Sequence, residues 1–191
     1  MLYEGKGMSK NQTLDMTQGN PLSLIVKFAV PLIMGSILQQ LYSFADTAIV
    51  GRCISVEALS AVGVTSAPNF LVLGLTLGSA MGFATPISQS VGAKNEEDIT
   101  RYFWNGLYLS VVMGFVISAL ASLFVRPILE LMNTPAELLD MATTYLRVIF
   151  LGQVTTVLYN YLAGVLRAFG DSKRPFVFLV ISSLLNVGLD L

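Results

Sequence analysis

The sequence contains no histidine and a single cysteine, Cys53, among its 191 residues. The first absence removes imidazole-based acid–base catalysis and histidine–metal ligation. The second removes an intrachain disulfide and any cysteine-rich metal site. Charge is scarce as well. Asp, Glu, Lys and Arg make up 12% of the chain, about half the ~25% of a soluble domain, which is too little to solvate the surface of a soluble monomer. The formal net charge of −1 offers no basic field, and nucleic acid is not expected as a partner. No Walker loop, nucleophile elbow or metalloprotease helix occurs, so the sequence does not read as an enzyme. What is abundant is apolar surface, at 54% of residues with a mean hydropathy of +0.69. This is the composition of an integral membrane protein.

A bilayer core needs about 20 mostly apolar helical residues. Five stretches qualify wholly or in part, at about 22–50, 59–91, 102–125, 138–166 and 175–191. Long unbroken apolar runs differ from the alternating segments of a membrane barrel, so the expected class is all-α, a polytopic helical membrane protein. Pro68 and Pro86 should bend or end the second stretch. Residues 1–20 form a polar N-terminal tail, and Met8 is an alternative start. The first span exceeds the 7–15 apolar residues of a signal peptide and reads as a retained helix. With the N-terminus inside, Lys6, Lys10, Lys27, Lys94, Arg101, Arg167, Lys173 and Arg174 fall on the cytoplasmic side, against Arg52, Arg126 and Arg147 outside. The positive-inside rule therefore places the N-terminus in the cytoplasm. The fifth span is still apolar at Leu191, so the chain is expected to be a piece of a longer polytopic protein.

A carboxylate at the bilayer centre costs about 2.5–3.5 kcal/mol on insertion scales, so the acidic residues in the spans are informative. Gln39, Tyr42 or Ser43, and Asp46 recur at helical spacing on one face of the first span. Such a stripe either looks into a protein interior or ends the helix at the outer interface. Asn186 and Asp190 lie one turn apart in the fifth span and present the same two alternatives. A desolvated carboxylate is protonated more readily, and carboxylate, amide and hydroxyl oxygens together also suit Na⁺. H⁺ and Na⁺ are not separated by residue type. Pro31 removes a backbone hydrogen bond below Asp46 and is a candidate hinge. Gly74, Gly78 and Gly82 form small-xxx-small steps expected to admit a neighbouring helix. Tyr102 and Trp104 read as interfacial anchors. Glu96, Glu97 and Asp98 read as a solvated helix start, and Gly170-Asp171-Ser172 as a turn.

Several segments, taken in order, resemble one family. These are Phe28-Ala29-Val30-Pro31-Leu32, Leu38-Gln39-Gln40-Leu41-Tyr42, Ala45-Asp46-Thr47 and Val50-Gly51-Arg52 in the first span. Glu57 to Gly63 and Gln89 to Lys94 bracket the second. Leu166-Arg167-Ala168-Phe169-Gly170-Asp171-Ser172-Lys173-Arg174-Pro175 precedes the fifth, and Ser183 to Asp190 lies within it. Together they are similar to multidrug and toxic compound extrusion (MATE) transporters, in the bacterial branch related to DNA-damage-inducible members. The resemblance runs from about Met16 to the C-terminus. It implies a twelve-helix secondary transporter of two six-helix lobes in the bacterial plasma (inner) membrane. Such a transporter exports cationic or amphipathic compounds in exchange for H⁺ or Na⁺, without a cofactor. It further implies that Asp46, Asn186 and Asp190 bind the coupling ion, with Gln39, Tyr42, Tyr145 and Asn160 as polar neighbours. Residues 21–191 would be the N-terminal lobe, truncated in helix five. The partners would be the bilayer, the small-molecule substrate and a C-terminal lobe, without which alternating access fails. A lipid-linked or polysaccharide flippase of the same superfamily, and a non-transporting half-transporter or scaffold, are the alternative readings.

Overall fold

The computed structural model describes residues 19–53 and 55–190. The tail with Lys6, Met8 and Lys10 lies outside the described residues, as do the side chains of Asp46, Arg52 and Asp190. Seven helices follow in order: α1 Pro21–Cys53, α2 Val56–Val64, α3 Ser66–Gly92, α4 Glu96–Leu131, α5 Ala136–Leu151, α6 Gln153–Ala168 and α7 Lys173–Asp190. Among the described residues there is no strand. α1, α3 and α4 are each long and apolar enough to cross a bilayer, and α5 with α6 reaches that measure when the bent pair is taken as one span. α7 carries Lys173, Arg174 and Asp190 within 18 residues and by itself does not reach that measure.

The stretch 59–91, which Pro68 and Pro86 should bend or end, is two helices. The break sits at Thr65, whose N–H and hydroxyl both turn back to the Val62 carbonyl, at 3.2 and 2.7 Å. Pro68 supplies the cause, because it has no N–H to donate to Val64 and its ring crowds that carbonyl. Pro86, by contrast, lies inside an uninterrupted α3. The stretch 138–166 also divides, with a 44° bend between α5 and α6 at Gly152, whose N–H caps Ile149. α4 extends beyond 102–125 at both ends.

Helix ends are chemically specified. Asn20 Oδ1 accepts from the Leu22 N–H at 3.1 Å and starts α1. Ser55 Oγ accepts from Ala58 N–H at 3.1 Å and starts α2. Backbone and Ser55 hydrogen bonds hold the exposed Glu57 carboxyl below the usual carboxylate range. Asn95 accepts from Asp98 N–H and donates to its carboxylate, at 3.2 and 2.8 Å, while Glu96, Glu97 and Asp98 face the positive end of the α4 dipole. Between α6 and α7, Gly170 adopts φ +78°, a left-handed conformation that glycine alone adopts without strain. Its N–H donates to Arg167 and that of Asp171 to Leu166, closing the end of α6. Asp171, 1% exposed, then accepts from the N–H groups of Lys173 and Arg174 at 3.1 and 3.0 Å. Its second oxygen pairs with Arg174 Nε at 3.2 Å.

α3, α4 and α6 pack on one another, α5 packs on α4 and α2, and α1 packs chiefly on α7. One buried cluster joins Ala61, Val72, Ile117, Val125, Leu129, Ala142, Leu146, Phe150 and Val157. A second joins Ala80, Ala84, Ile87, Tyr161 and Val165. The glycines that permit close approach are not those expected. A Cβ at Gly74, Gly78 or Gly82 would meet nothing within 4 Å. At Gly106 it would lie 2.5 Å from Tyr161 Oη, at Gly114 2.9 Å from Val154 Cα, and at Gly164 2.8 Å from Ala84 Cβ. Trp104 is exposed, with its ring edge-on to Phe103 at 5.3 Å.

Candidate functional site

Span direction decides which predicted residues meet. Gly106 lies against Tyr161 and Gly114 against Val154, so α4 and α6 are antiparallel; Thr76 against Gln153 and Ala84 against Gly164 make α3 and α6 parallel. α7 doubles back on α6, where Tyr159 Oη donates to the Pro175 carbonyl at 3.3 Å. α1 doubles back into α2, where Gly51 faces Leu59. α1 and α7 therefore run parallel. They touch at Gly35, which is buried; a Cβ there would lie 3.5 Å from Leu179 and 3.6 Å from Phe176.

This contact sets the register. Position 46 lies eleven residues beyond Gly35, about 16 Å along α1 at 1.5 Å per residue. The same rise along α7 from Phe176 and Leu179 arrives at positions 187–190. The backbone thus carries positions 46 and 190 at one level of two adjoining helices, with position 186 one turn below on α7. Tyr42, half-buried, is level with Leu185 and Asn186. Gln39 is exposed one turn below.

Asn186 is half-buried, and its Oδ1 is covered with no hydrogen-bond partner among the described residues. A buried amide oxygen without a donor is costly and is suited to receive a proton donor or a hard cation. Beside it, Phe178, Ile181, Ser182, Leu185 and Asn186 line an open groove of about 360 Å³.

The other two expected neighbours, Tyr145 and Asn160, lie on α5 and α6. Tyr145, on α5, is half-buried against the core cluster of α2, α4 and α5; it lies at the outer level but within packing. Asn160 donates from Nδ2 to the Thr156 carbonyl of its own helix at 2.8 Å. Because its neighbour Tyr159 meets Pro175, Asn160 stands beside the first turn of α7, about 16 Å in axial rise from Asn186. Pro31 sits within a continuous α1. One polar contact was not anticipated: Thr76 Oγ1 donates to Gln153 Oε1 at 2.9 Å, both fully buried, where α6 begins after the bend. Gln153 directly after Gly152 within an apolar run was the available signal.

The model of the MatE family matches residues 31–191. The chain is 33% identical to the probable multidrug resistance protein YoeA of Bacillus subtilis (strain 168), over 85% of this chain and 35% of that protein. It is 32% identical to YpnP of the same organism, also a probable multidrug resistance protein, over 92% and 39%. In structure it is similar to a MOP superfamily transporter from Pyrococcus furiosus Vc1 (DSM3638) described as having a binding pocket of reverse polarity that suggests a different function. That similarity has a TM-score of 0.86 at 27% identity, over 96% of this chain and 40% of that one. The chain thus spans under two fifths of the two Bacillus relatives' length. With the family model covering all but the first residues and the helices superposing on solved relatives, the chain belongs to the MatE family of membrane transporters and carries the N-terminal lobe of their fold.

Proposed function

We propose that the protein forms part of an ion-coupled multidrug efflux antiporter in the bacterial plasma membrane, with its N-terminus in the cytoplasm. It exports cationic or amphipathic compounds by alternating access. The observation that carries this reading is the parallel α1–α7 register, which supports Asp46, Asn186 and Asp190 acting together around the orphan Asn186 oxygen. Binding of H⁺ or Na⁺ there neutralises carboxylate charge, changes how α1 sits on α7, and favours release of the drug to the outside. Pro31, below the site on α1, is the residue at which the helix bends. Return to the inward state releases the ion.

The test is ethidium efflux from cells expressing the gene from its native locus, with Asp46→Asn or Asp190→Asn. Loss of efflux, or a changed dependence on the H⁺ or Na⁺ gradient, is the expected result. Unchanged efflux and unchanged ion dependence in both variants would refute the coupling role. Collapsing the proton gradient and the sodium gradient separately identifies the ion. A second reading, transport of a phosphate-bearing lipid or polysaccharide precursor, draws support from the reverse-polarity pocket of the Pyrococcus neighbour. Competition of ethidium efflux by lipid phosphates, absent with other cationic dyes, would favour it.

A further inference from the structure

Arg147 occupies an unusual place. Within α5, Ala142, Thr143, Leu146 and Phe150 are buried against the rest of the lobe, whereas Arg147 is exposed. Among the described residues it has no ion-pair partner. An exposed ion cluster, Arg126 with Glu130 at 3.1 Å and with Asp140 at 2.9 Å, marks the polar level at the outer ends of α4 and α5. Arg147 lies seven residues further along α5, about 10 Å deeper. Arg167, at the opposite end, is about 30 Å away along the bent pair. The guanidinium thus starts from hydrocarbon depth, where an unpaired charge facing lipid is strongly disfavoured.

The faces of two neighbouring helices differ in kind. At the same depths the exposed residues of α4 include Tyr108, Val112, Phe115, Val116, Leu120 and Leu123, an apolar surface suited to lipid. The uncovered face of α5 and the start of α6 instead presents Thr144, Arg147 and Thr155 interspersed with the exposed apolar Met141, Val148 and Leu151. Polar residues interspersed with apolar ones at membrane depth belong against water or substrate rather than acyl chains.

We infer that this face of α5 and α6 lines the translocation path and that Arg147 binds the anionic group, a carboxylate or phosphate, of amphiphilic substrates. This rests on the transport reading above and narrows its substrate class. Guanidinium suits the role because its planar donor fork matches both oxyanions bidentately. The competing account is snorkelling. A side chain on α5 leans towards the helix N-terminus, here the outer interface, so a lipid-facing Arg147 could extend its head to that level.

Thiol labelling in native membranes separates the two without requiring efflux. In a Cys53→Ser background, Leu151→Cys reports the Arg147 face below the arginine. Phe115→Cys reports the α4 face at the same depth, since each lies eleven residues from the Arg126–Asp140 level. The probes are an anionic (sulfonatoethyl) and a cationic (trimethylammonioethyl) methanethiosulfonate. The expected result is labelling at least about tenfold faster at Leu151→Cys than at Phe115→Cys. Arg147→Gln should also cut the anionic-to-cationic rate ratio at Leu151→Cys by about tenfold, because a fixed cation in a low-dielectric path concentrates anions. Carboxyfluorescein should protect Leu151→Cys from labelling, with Arg147→Lys retaining part of that protection and Arg147→Gln none. Equal labelling at the two positions, a rate ratio that ignores Arg147→Gln, or carboxyfluorescein protection that survives Arg147→Gln would each overturn the proposal. Ethidium efflux, measured separately, tests the transport reading itself.

Discussion

Substituting Gly106 by alanine tests the packing of the lobe most directly. The new methyl carbon would lie 2.5 Å from Tyr161 Oη and 2.7 and 2.8 Å from two ring carbons, well inside contact distance. The ring cannot swing away cheaply. Tyr161 is fully buried, and its hydroxyl donates to the Phe103 carbonyl at 2.7 Å, one turn before Gly106 on α4. Either α4 and α6 separate or that hydrogen bond breaks. Overpacking costs about 1–3 kcal/mol and the bond about 1 kcal/mol, offset by roughly 1 kcal/mol of helix propensity gained on replacing glycine. The net is about 1–3 kcal/mol of destabilisation. At about 2–4 °C per kcal/mol for a chain of this size, the Tm in detergent should fall by roughly 2–12 °C. Gly78→Ala is the internal control. Its methyl meets nothing within 4 Å, so the same propensity gain should leave Tm unchanged or slightly raised. Tyr161→Phe should be less damaging in the Gly106→Ala background than alone, because the bond it removes is already strained there. If Gly106→Ala melts at or above the parent while Gly78→Ala melts below it, the assignment of close helix approach is wrong.

Other outcomes follow from the same structure. Gln153→Leu leaves the fully buried Thr76 hydroxyl without its acceptor and should cost about 1–3 kcal/mol; adding Thr76→Val should recover part of this in a thermal double-mutant cycle. Asp171→Ala removes the cap of α7 and one ion-pair partner of Arg174, with an expected loss of about 1–2 kcal/mol. Asp171→Asn, which keeps an acceptor oxygen, should fall between it and the parent in Tm. Arg126→Gln breaks two ion pairs between exposed side chains and should leave Tm nearly unchanged, any small shift disappearing in high salt.

The sequence shows the spans more readily than their interruptions. Long charge-free runs locate α3 and α4 because a bilayer permits little else. Pro68 signals the break at Thr65, acting on the carbonyl four residues earlier, but the uninterrupted helix at Pro86 shows that a proline need not end one, and the bend at Gly152 has no proline to announce it. Small-residue spacing was ambiguous for a physical reason. Gly74-Gly78-Gly82 and Gly106-Ser110-Gly114 share the same period, and spacing alone does not tell which stripe meets another helix. Only the second is buried. For the candidate ion site, one-helix spacing grouped Gln39, Tyr42 and Asp46, but the level shared by positions 46 and 190 depends on two helices about 140 residues apart in the chain, and no local pattern encodes that.

The same separation has a consequence for biogenesis. Beyond its outer turn against α2, α1 finds its protein neighbour in α7, and Phe176 is polymerised 141 residues after Gly35. At roughly 5–20 residues per second, the first span waits roughly 7–28 s before the helix that fits against Gly35 has been made. The α3–α4–α6 trio completes earlier, with Ala168. During that interval Gln39 and Gln40 have no α7 to pack near, so the nascent first span is exposed to lipid or to whatever insertion machinery holds it, and its docking on α7 follows assembly of the α3–α4–α6 trio.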